Sequence, residues 1–288
     1  MLLSMTGQGV ANATTNGATV TVEMRAVNNR HLKINLRSPD SLITLESVVE
    51  KQIRASVGRG TVNVNIKVHK ETRADDYAID TALLDSYRRQ LETESRSEIP
   101  LEALLTLPGV VKSSDAQSPH AAHSELIVNT VADALEQFNH MRMTEGEALA
   151  NDLDNQLQKL TILIQSIRER APAVVLNYSE RLTDKLNQLL EKHAVTLSDA
   201  DLTREIGVFA DRCDITEEVV RLDSHISQFL EVMNGNTSQG RKLDFITQEL
   251  FREINTIGSK ANDASIASHV VEAKTVIERI REQVQNIE

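Results

Sequence analysis

Between residues 18 and 27 the chain alternates. Val20, Val22, Met24 and Ala26 fall on one side and Thr21, Glu23 and Arg25 on the other, the period of a half-buried strand. Asn28-Asn29 tolerates the positive φ of a tight turn, and alternation resumes over His31–Arg37, with Leu32, Ile34 and Leu36 opposite Lys33, Asn35 and Arg37. Pro39 ends this second run, and the two together predict a β-hairpin. Leu42, Leu45, Val49, Ile53 and Val57 then recur every three or four positions, which predicts a helix closed by the glycine turn Gly58-Arg59-Gly60. Val62, Val64, Ile66 and Val68 restore the two-residue period. The start of the chain therefore reads β-β-α-β, a small sheet with one face on a helix and a polar face carrying Arg25, Lys33, Arg37, Lys67 and His69.

The next stretch is less regular. A helix is expected over 83–94, a short one from Pro100 to before Leu107-Pro108-Gly109, a loop over 113–123, and helix again from about Leu126. Beyond Glu145 the helical period dominates. Leu149, Leu153, Leu157, Leu160, Ile164 and Ile167 form one stripe up to Pro172, and Val175, Tyr178, Leu182, Leu186 and Leu189 form another after it. Two helices meeting at a proline predict a kinked arm or an antiparallel hairpin. Residues 202–233 predict one more helix, broken at Asn234-Gly235-Asn236. Leu243 to Ile257 predicts the next, capped by Gly258, and Ile266, Val270, Ala273, Ile277, Ile280 and Val284 mark the last. The fold class is α+β: an N-terminal sheet domain (1–73), a helical and loop connection (74–140), and a mainly α-helical region with an extended arm (141–288).

Composition supports an aliphatic helical core, since hydrophobic residues are 40 % of the chain but aromatics only 3 %, with no Trp. The single cysteine, Cys213, excludes an internal disulfide framework and a Cys-rich zinc site, and its helical position reads as a small core residue. No run of about 18 apolar residues predicts a membrane span, and the first ten residues do not read as a signal peptide. A cytoplasmic location is the expectation. The net charge of −11 is unevenly spread. Residues 1–73 carry 10 Lys/Arg against 5 Asp/Glu, residues 241–288 carry 7 against 8, and the middle carries 14 against 29. The two ends can tolerate phosphate, while the middle resembles a solvated acidic arm.

Familiar short motifs are absent: no phosphate-binding GxxxxGK[ST], no dinucleotide fingerprint, no HExxH and no GxSxG. Two helical faces carry candidate chemistry instead. Asp214, Glu218, Arg221 and His225 recur at spacings of four, three and four, about 100° from the core stripe of Val219, Leu222 and Ile226. Glu249, Arg252, Glu253, Thr256 and Lys260 share a face of the following helix, where Glu249 and Glu253 are one turn apart and can reach one hard cation. Gly240-Arg241-Lys242 stands at the start of that helix, where amides and cations favour an anion. The ordinary alternative is that these are surface salt bridges at helical spacing.

These same residues carry a resemblance. The segments 214–229 (DITEEVVRLDSHISQF), 240–261 (GRKLDFITQELFREINTIGSKA) and 271–288 (VEAKTVIERIREQVQNIE) closely resemble the YicC/YloC family of bacterial endoribonucleases. So do SMTGQG (4–9), EMRAVNNRHL (23–32), RGTVNV (59–64), LPGVV (107–111) and Arg142 with Glu145-Gly146. Residues 74–100 and 112–140 resemble it little, and 236–239 depart from it somewhat. The resemblance implies a homohexamer closing around structured RNA and endonucleolytic cleavage that needs a divalent cation, Mn²⁺ or Mg²⁺. On that basis Asp214, Glu218, His225, Glu249 and Glu253 are expected to hold metal, with His225 alternatively an acid or base. Arg221, Arg252 and Lys260 are expected to stabilise the transition state. Arg25, Asn28, Arg30, His31, Arg37, Arg241 and Lys242 are expected to grip the RNA backbone. Two other classes compete: a non-catalytic RNA-binding adaptor serving other RNA-turnover proteins, and a helical assembly scaffold.

Overall fold

A computed structural model describes residues 2–15, 17–39, 42–70, 77–94, 100–113, 120–193, 199–235 and 237–288. The N-terminal region is a four-stranded sheet of β1 (Gly7–Thr15), β2 (Ala18–Val27), β3 (Lys33–Arg37) and β4 (Thr61–Lys70), in the order β1-β2-β4-β3, with α1 (Ile43–Ser56) between β3 and β4. The fold class is α+β, as the pattern predicts.

The expected hairpin between the second and third strands does not form. β2 pairs antiparallel with β1 on one side, from Gly7↔Ala26 to Thr15↔Ala18, and with β4 on the other. β3 instead joins the far edge of β4 in parallel, from Lys33↔Thr61 to Arg37↔Asn65. The reason is connectivity: a parallel pair needs a crossover, and α1 supplies it between β3 and β4. Both edges of β2 are then occupied. The partner strand β1 is absent from the pattern because its inward residues are Gly7, Gly9 and Ala11. They are small because a helix lies close against them: a Cβ on Gly9 would stand 2.0 Å from the Ala134 carbonyl oxygen. The glycine turn after α1 is present, but the helix itself ends on Val57, in extended conformation.

A second, two-stranded sheet pairs β5 (Tyr77–Ile79) with β6 (Val111–Ser113), and α2 (Thr81–Glu94) and α3 (Leu101–Leu105) lie between them. The loop expected over 113–123 falls largely outside the described residues, and its last four positions already belong to α4 (His120–His193). This helix corrects the expectation of two helices joined at Pro172. It runs unbroken through the proline, over roughly 110 Å at 1.5 Å per residue. Pro172 itself is exposed, while Ile167 and Val174 on either side are buried, so packing on both sides carries the helix across one missing hydrogen bond.

α4 is the spine of the molecule. Its first part presents Ile127, Val131, Ala134, Leu135 and Phe138 to the sheet core, and Leu153, Leu157, Leu160, Ile164 and Ile167 enter a second, purely helical core. That second core is completed by α6 (Thr216–Met233), α7 (Gly240–Lys260) and α8 (Ala264–Val284). The single helix expected over 202–233 is two. α5 (Asp199–Cys213) ends where the Asp214 carboxylate accepts the Thr216 amide at 2.9 Å, a side chain competing with the helical backbone. α5 lies on α4 through stacked Tyr178 and Phe209 rings 3.6 Å apart. Cys213, at the end of α5, is half-buried rather than a core residue. Gly258 does not cap α7, which continues to Lys260; the glycine lies inside the helix, where a Cβ would press on Val270. Among the described residues no helix is long and apolar enough to cross a membrane.

Candidate active site

α6 and α7 pack side by side, and their ion pairs give the direction. Glu218 meets Lys260, Arg221 meets Glu253, and His225 lies with Glu249: as numbers rise on one helix they fall on the other. The helices are antiparallel, and the two faces singled out in the sequence look at each other across the seam.

At the centre, one ligand atom from each of His225, Glu249 and Glu253 lies within 4.8 Å of the others. Glu249 and Glu253 meet because they are one turn apart on α7. His225 is brought to them by packing, since Leu222 and Ile226 of α6 share one core with Ile246 and Leu250 of α7. Glu253 is buried, at 3 % exposure, and its cationic neighbour is Arg221, whose Nη1 stands 3.4 Å from Oε1. Arg221 also pairs with Glu217, and the Glu217 charge, followed by the Glu253 hydrogen bond, holds its pKa above the ordinary value.

The remaining expected residues divide. Glu218 is buried and accepts from Lys260 Nζ at 2.8 Å, while its Oε2 is buried without a partner. Lys260 also donates to the Asp214 carbonyl at 3.0 Å, so it ties the break between α5 and α6 to the end of α7. The Asp214 carboxylate lies outside the central cluster; its bonds to Thr216 hold its pKa below the ordinary value. Arg252 is 72 % exposed and reaches Glu249 only at 3.7 Å, leaving its guanidinium at the rim of the cluster.

The donor set suits a divalent cation. One imidazole and two carboxylates form a mixed nitrogen–oxygen set. The buried Glu253 carboxylate beside that of Glu249 is a like-charge pair, whose repulsion a cation relieves.

The residues expected to grip RNA fall into two groups. Asn28, Arg30 and His31, in the β2–β3 connection, line a cleft with Arg241 at the start of α7, and Lys242 lines an adjoining hollow. Asn28 is anchored there by donating to the Gln285 carbonyl at 2.6 Å. Arg25 and Arg37 lie on the solvent face of the sheet, in rows with Asn63 and Asn65. The sequence reading missed Arg59, Gln248 and Arg281, which line the same cleft. Only the closeness of Arg59 to the glycines of a turn was legible beforehand. α7 enters this region because Gly240 has no side chain: a Cβ there would stand 2.2 Å from the Ile287 carbonyl oxygen.

Residues 2–151 match the family described as Endoribonuclease YicC-like, N-terminal region, and residues 167–288 match Endoribonuclease YicC-like, C-terminal. The chain belongs to the YicC-like endoribonuclease family. Two relatives match over the full length of both chains. A probable endoribonuclease YicC of Clostridioides difficile (strain 630) is 33 % identical over 294 residues. A probable endoribonuclease YicC of Haemophilus influenzae (strain ATCC 51907 / DSM 11121 / KW20 / Rd) is 30 % identical over 293 residues. The family's C-terminal match contains the whole α6–α7 seam, and its N-terminal match contains the sheet and the β2–β3 connection.

Proposed function

We propose that this chain is a divalent-metal-dependent endoribonuclease whose centre lies on the α6–α7 seam. The observation that carries the proposal is the convergence of His225, Glu249 and Glu253 from two helices onto one point. His225, Glu249 and Glu253 would hold a divalent ion, Mn²⁺ or Mg²⁺, which would supply a water of lowered pKa and neutralise charge at an attacked phosphate. Arg221 orients the buried Glu253 carboxylate. Arg252, at the rim, donates to a phosphate oxygen as charge develops in the transition state. Glu218, Lys260 and Asp214 fix the register of the two helices rather than touch the reacting atoms. Arg30, His31, Arg241 and Lys242 hold the RNA backbone, with Asn28 positioning their loop and Arg25 and Arg37 extending the contact over the sheet. A homohexamer around structured RNA, working in the cytoplasm, is the assembly we propose, on the family resemblance.

The test is cleavage of end-labelled structured RNA with Mn²⁺, with Mg²⁺ and with EDTA, by the natural chain and by Glu249→Gln/Glu253→Gln. Defined fragments that require metal, and a loss of at least about 100-fold in the variant with RNA binding retained, are expected. Tight binding with no cutting under any metal condition would instead identify a non-catalytic adaptor.

A further inference from the structure

The cleft between the β2–β3 connection, the turn after α1 and the start of α7 has a volume of about 670 Å³. Four guanidinium groups line it; Arg281 is paired with Glu278, and the other three are Arg30, Arg59 and Arg241. Arg59 and Arg241 also line the adjoining hollow with Lys242, so these two, with Gly240, form the wall between both spaces. Among the described residues, none of the three arginines forms an ion pair or a side-chain hydrogen bond, and Arg59 Nε is buried without a partner. Burial, then Arg241, hold the Arg59 pKa below its ordinary value; Asp244 opposes them, and Arg30 adds to the lowering. Like charges gathered around a partly buried donor are unfavourable until an anion joins them. A phosphodiester supplies two acceptor oxygens and one negative charge, the complement of a guanidinium fork.

We propose that this cleft is a phosphodiester-binding subsite centred on Arg59, which holds a backbone phosphate of the RNA strand away from the bond that is cut. The proposal rests on the RNA reading above for its ligand, and on the geometry of the cleft for its residues. Arg241 and Glu249 are separated by roughly 12 Å along α7, at 1.5 Å per residue. The phosphate held by Arg59 and Arg241 is therefore not the reacting one but another on the same strand. Gln248, the residue before Glu249, lines the cleft and donates its amide to the Asp244 carboxylate at 2.9 Å, which leaves its carbonyl oxygen to accept from a ribose hydroxyl or a base. Asp244 is the carboxylate in the cleft, and it limits how tightly an anion is held. Arg281 also lines the cleft but is engaged with Glu278 at 3.5 Å.

The experiment is equilibrium binding of single-stranded RNA by the full chain over a range of salt, without metal. Arg59→Gln should weaken binding about tenfold and make the slope of log affinity against log salt shallower by about 0.7, with the melting temperature unchanged. Arg59→Lys should keep the slope and lose part of the affinity, because charge survives but the fork does not. Asp244→Asn should tighten binding about threefold, a gain that misfolding cannot mimic. Natural affinity and slope in Arg59→Gln would overturn the subsite, and so would unchanged binding in Asp244→Asn. The outcome is separable from the catalytic reading. Arg59-dependent binding without metal-dependent cleavage would sink the nuclease and leave the subsite, and cleavage without Arg59-dependent binding would do the reverse.

Discussion

Glu218 and Lys260 show what one side chain contributes at the seam. The Glu218 carboxylate is 7 % exposed, and Lys260 is its cationic partner. Lys260→Met leaves that carboxylate buried and uncompensated, which should cost about 3 kcal/mol of stability in urea denaturation. Glu218→Leu/Lys260→Met removes both charges together and should recover most of that loss. If Lys260→Met melts like the natural chain, the pair is not holding the helices in register. The spacing of Asp214, Glu218, Arg221 and His225 places all four on one face of one helix, and the sequence carries no more than that. It does not say which residue of the next helix stands opposite. That register comes from Leu222, Ile226, Ile246 and Leu250 sharing one core, and the Glu218–Lys260 pair locks it. The packing sorts His225 into the carboxylate cluster, and the break between α5 and α6 leaves the Asp214 carboxylate outside it.

At the scale of elements, Asp263 starts α8 by accepting the amides of Ser265 and Ile266 at 3.0 and 3.1 Å, and it also accepts Arg170 from α4 at 3.0 Å. Asp263→Ala loses cap and tether, and should cost about 1–2 kcal/mol; Asp263→Asn keeps the cap and should cost less. The Arg170 hydrogen bond holds the Asp263 pKa below its ordinary 3.8, despite burial. A depressed carboxylate stabilises fully above its unfolded pKa and loses that contribution as pH falls through the folded one. The difference between the natural chain and Asp263→Ala should therefore be complete at neutral pH and shrink below about pH 3.8, read as urea midpoints. An equal difference on both sides of that pH would mean that the charge of Asp263 is not involved. Elements with bulky alternating residues, such as β2, β4, α7 and α8, were legible because their buried faces are aliphatic. β1 was not, because Gly7, Gly9 and Ala11 make room for α4 instead of filling it. The pairing of β3 was hidden for a different reason: alternation gives a strand's faces and says nothing of which edge it joins.

Over the whole molecule, residues 2–5 and 286–288 bind the sheet domain, α4 and α7 into one junction. The Glu288 amide donates to the Leu3 carbonyl at 3.0 Å, the Met5 amide to the Asn286 carbonyl at 2.8 Å, and the Gly240 amide to the Glu288 carbonyl at 2.8 Å. The Glu288 carboxylate takes the Gly58 amide on one oxygen and the Arg142 guanidinium on the other. Arg142 is fully buried inside α4, and burial pushes its pKa down to about 10, so it is still a cation at neutral pH. Its other anchors are the Ser4 carbonyl at 2.7 Å and Asn139, both uncharged. Glu288→Gln therefore leaves a buried cation without a counter-charge, and should cost about 3 kcal/mol in urea denaturation. The effect should be local in origin but wide in reach, since Gly58 precedes Arg59 and Gly240 precedes Arg241. Hydrogen exchange at the amides of Gly58, Met5 and Gly240 should speed up together in Glu288→Gln, while amides of the sheet centre such as Val22 keep their protection. Acceleration at Gly58 alone would show that the carboxylate holds only the turn, and that the cleft between sheet and α7 is assembled by the backbone bonds on their own.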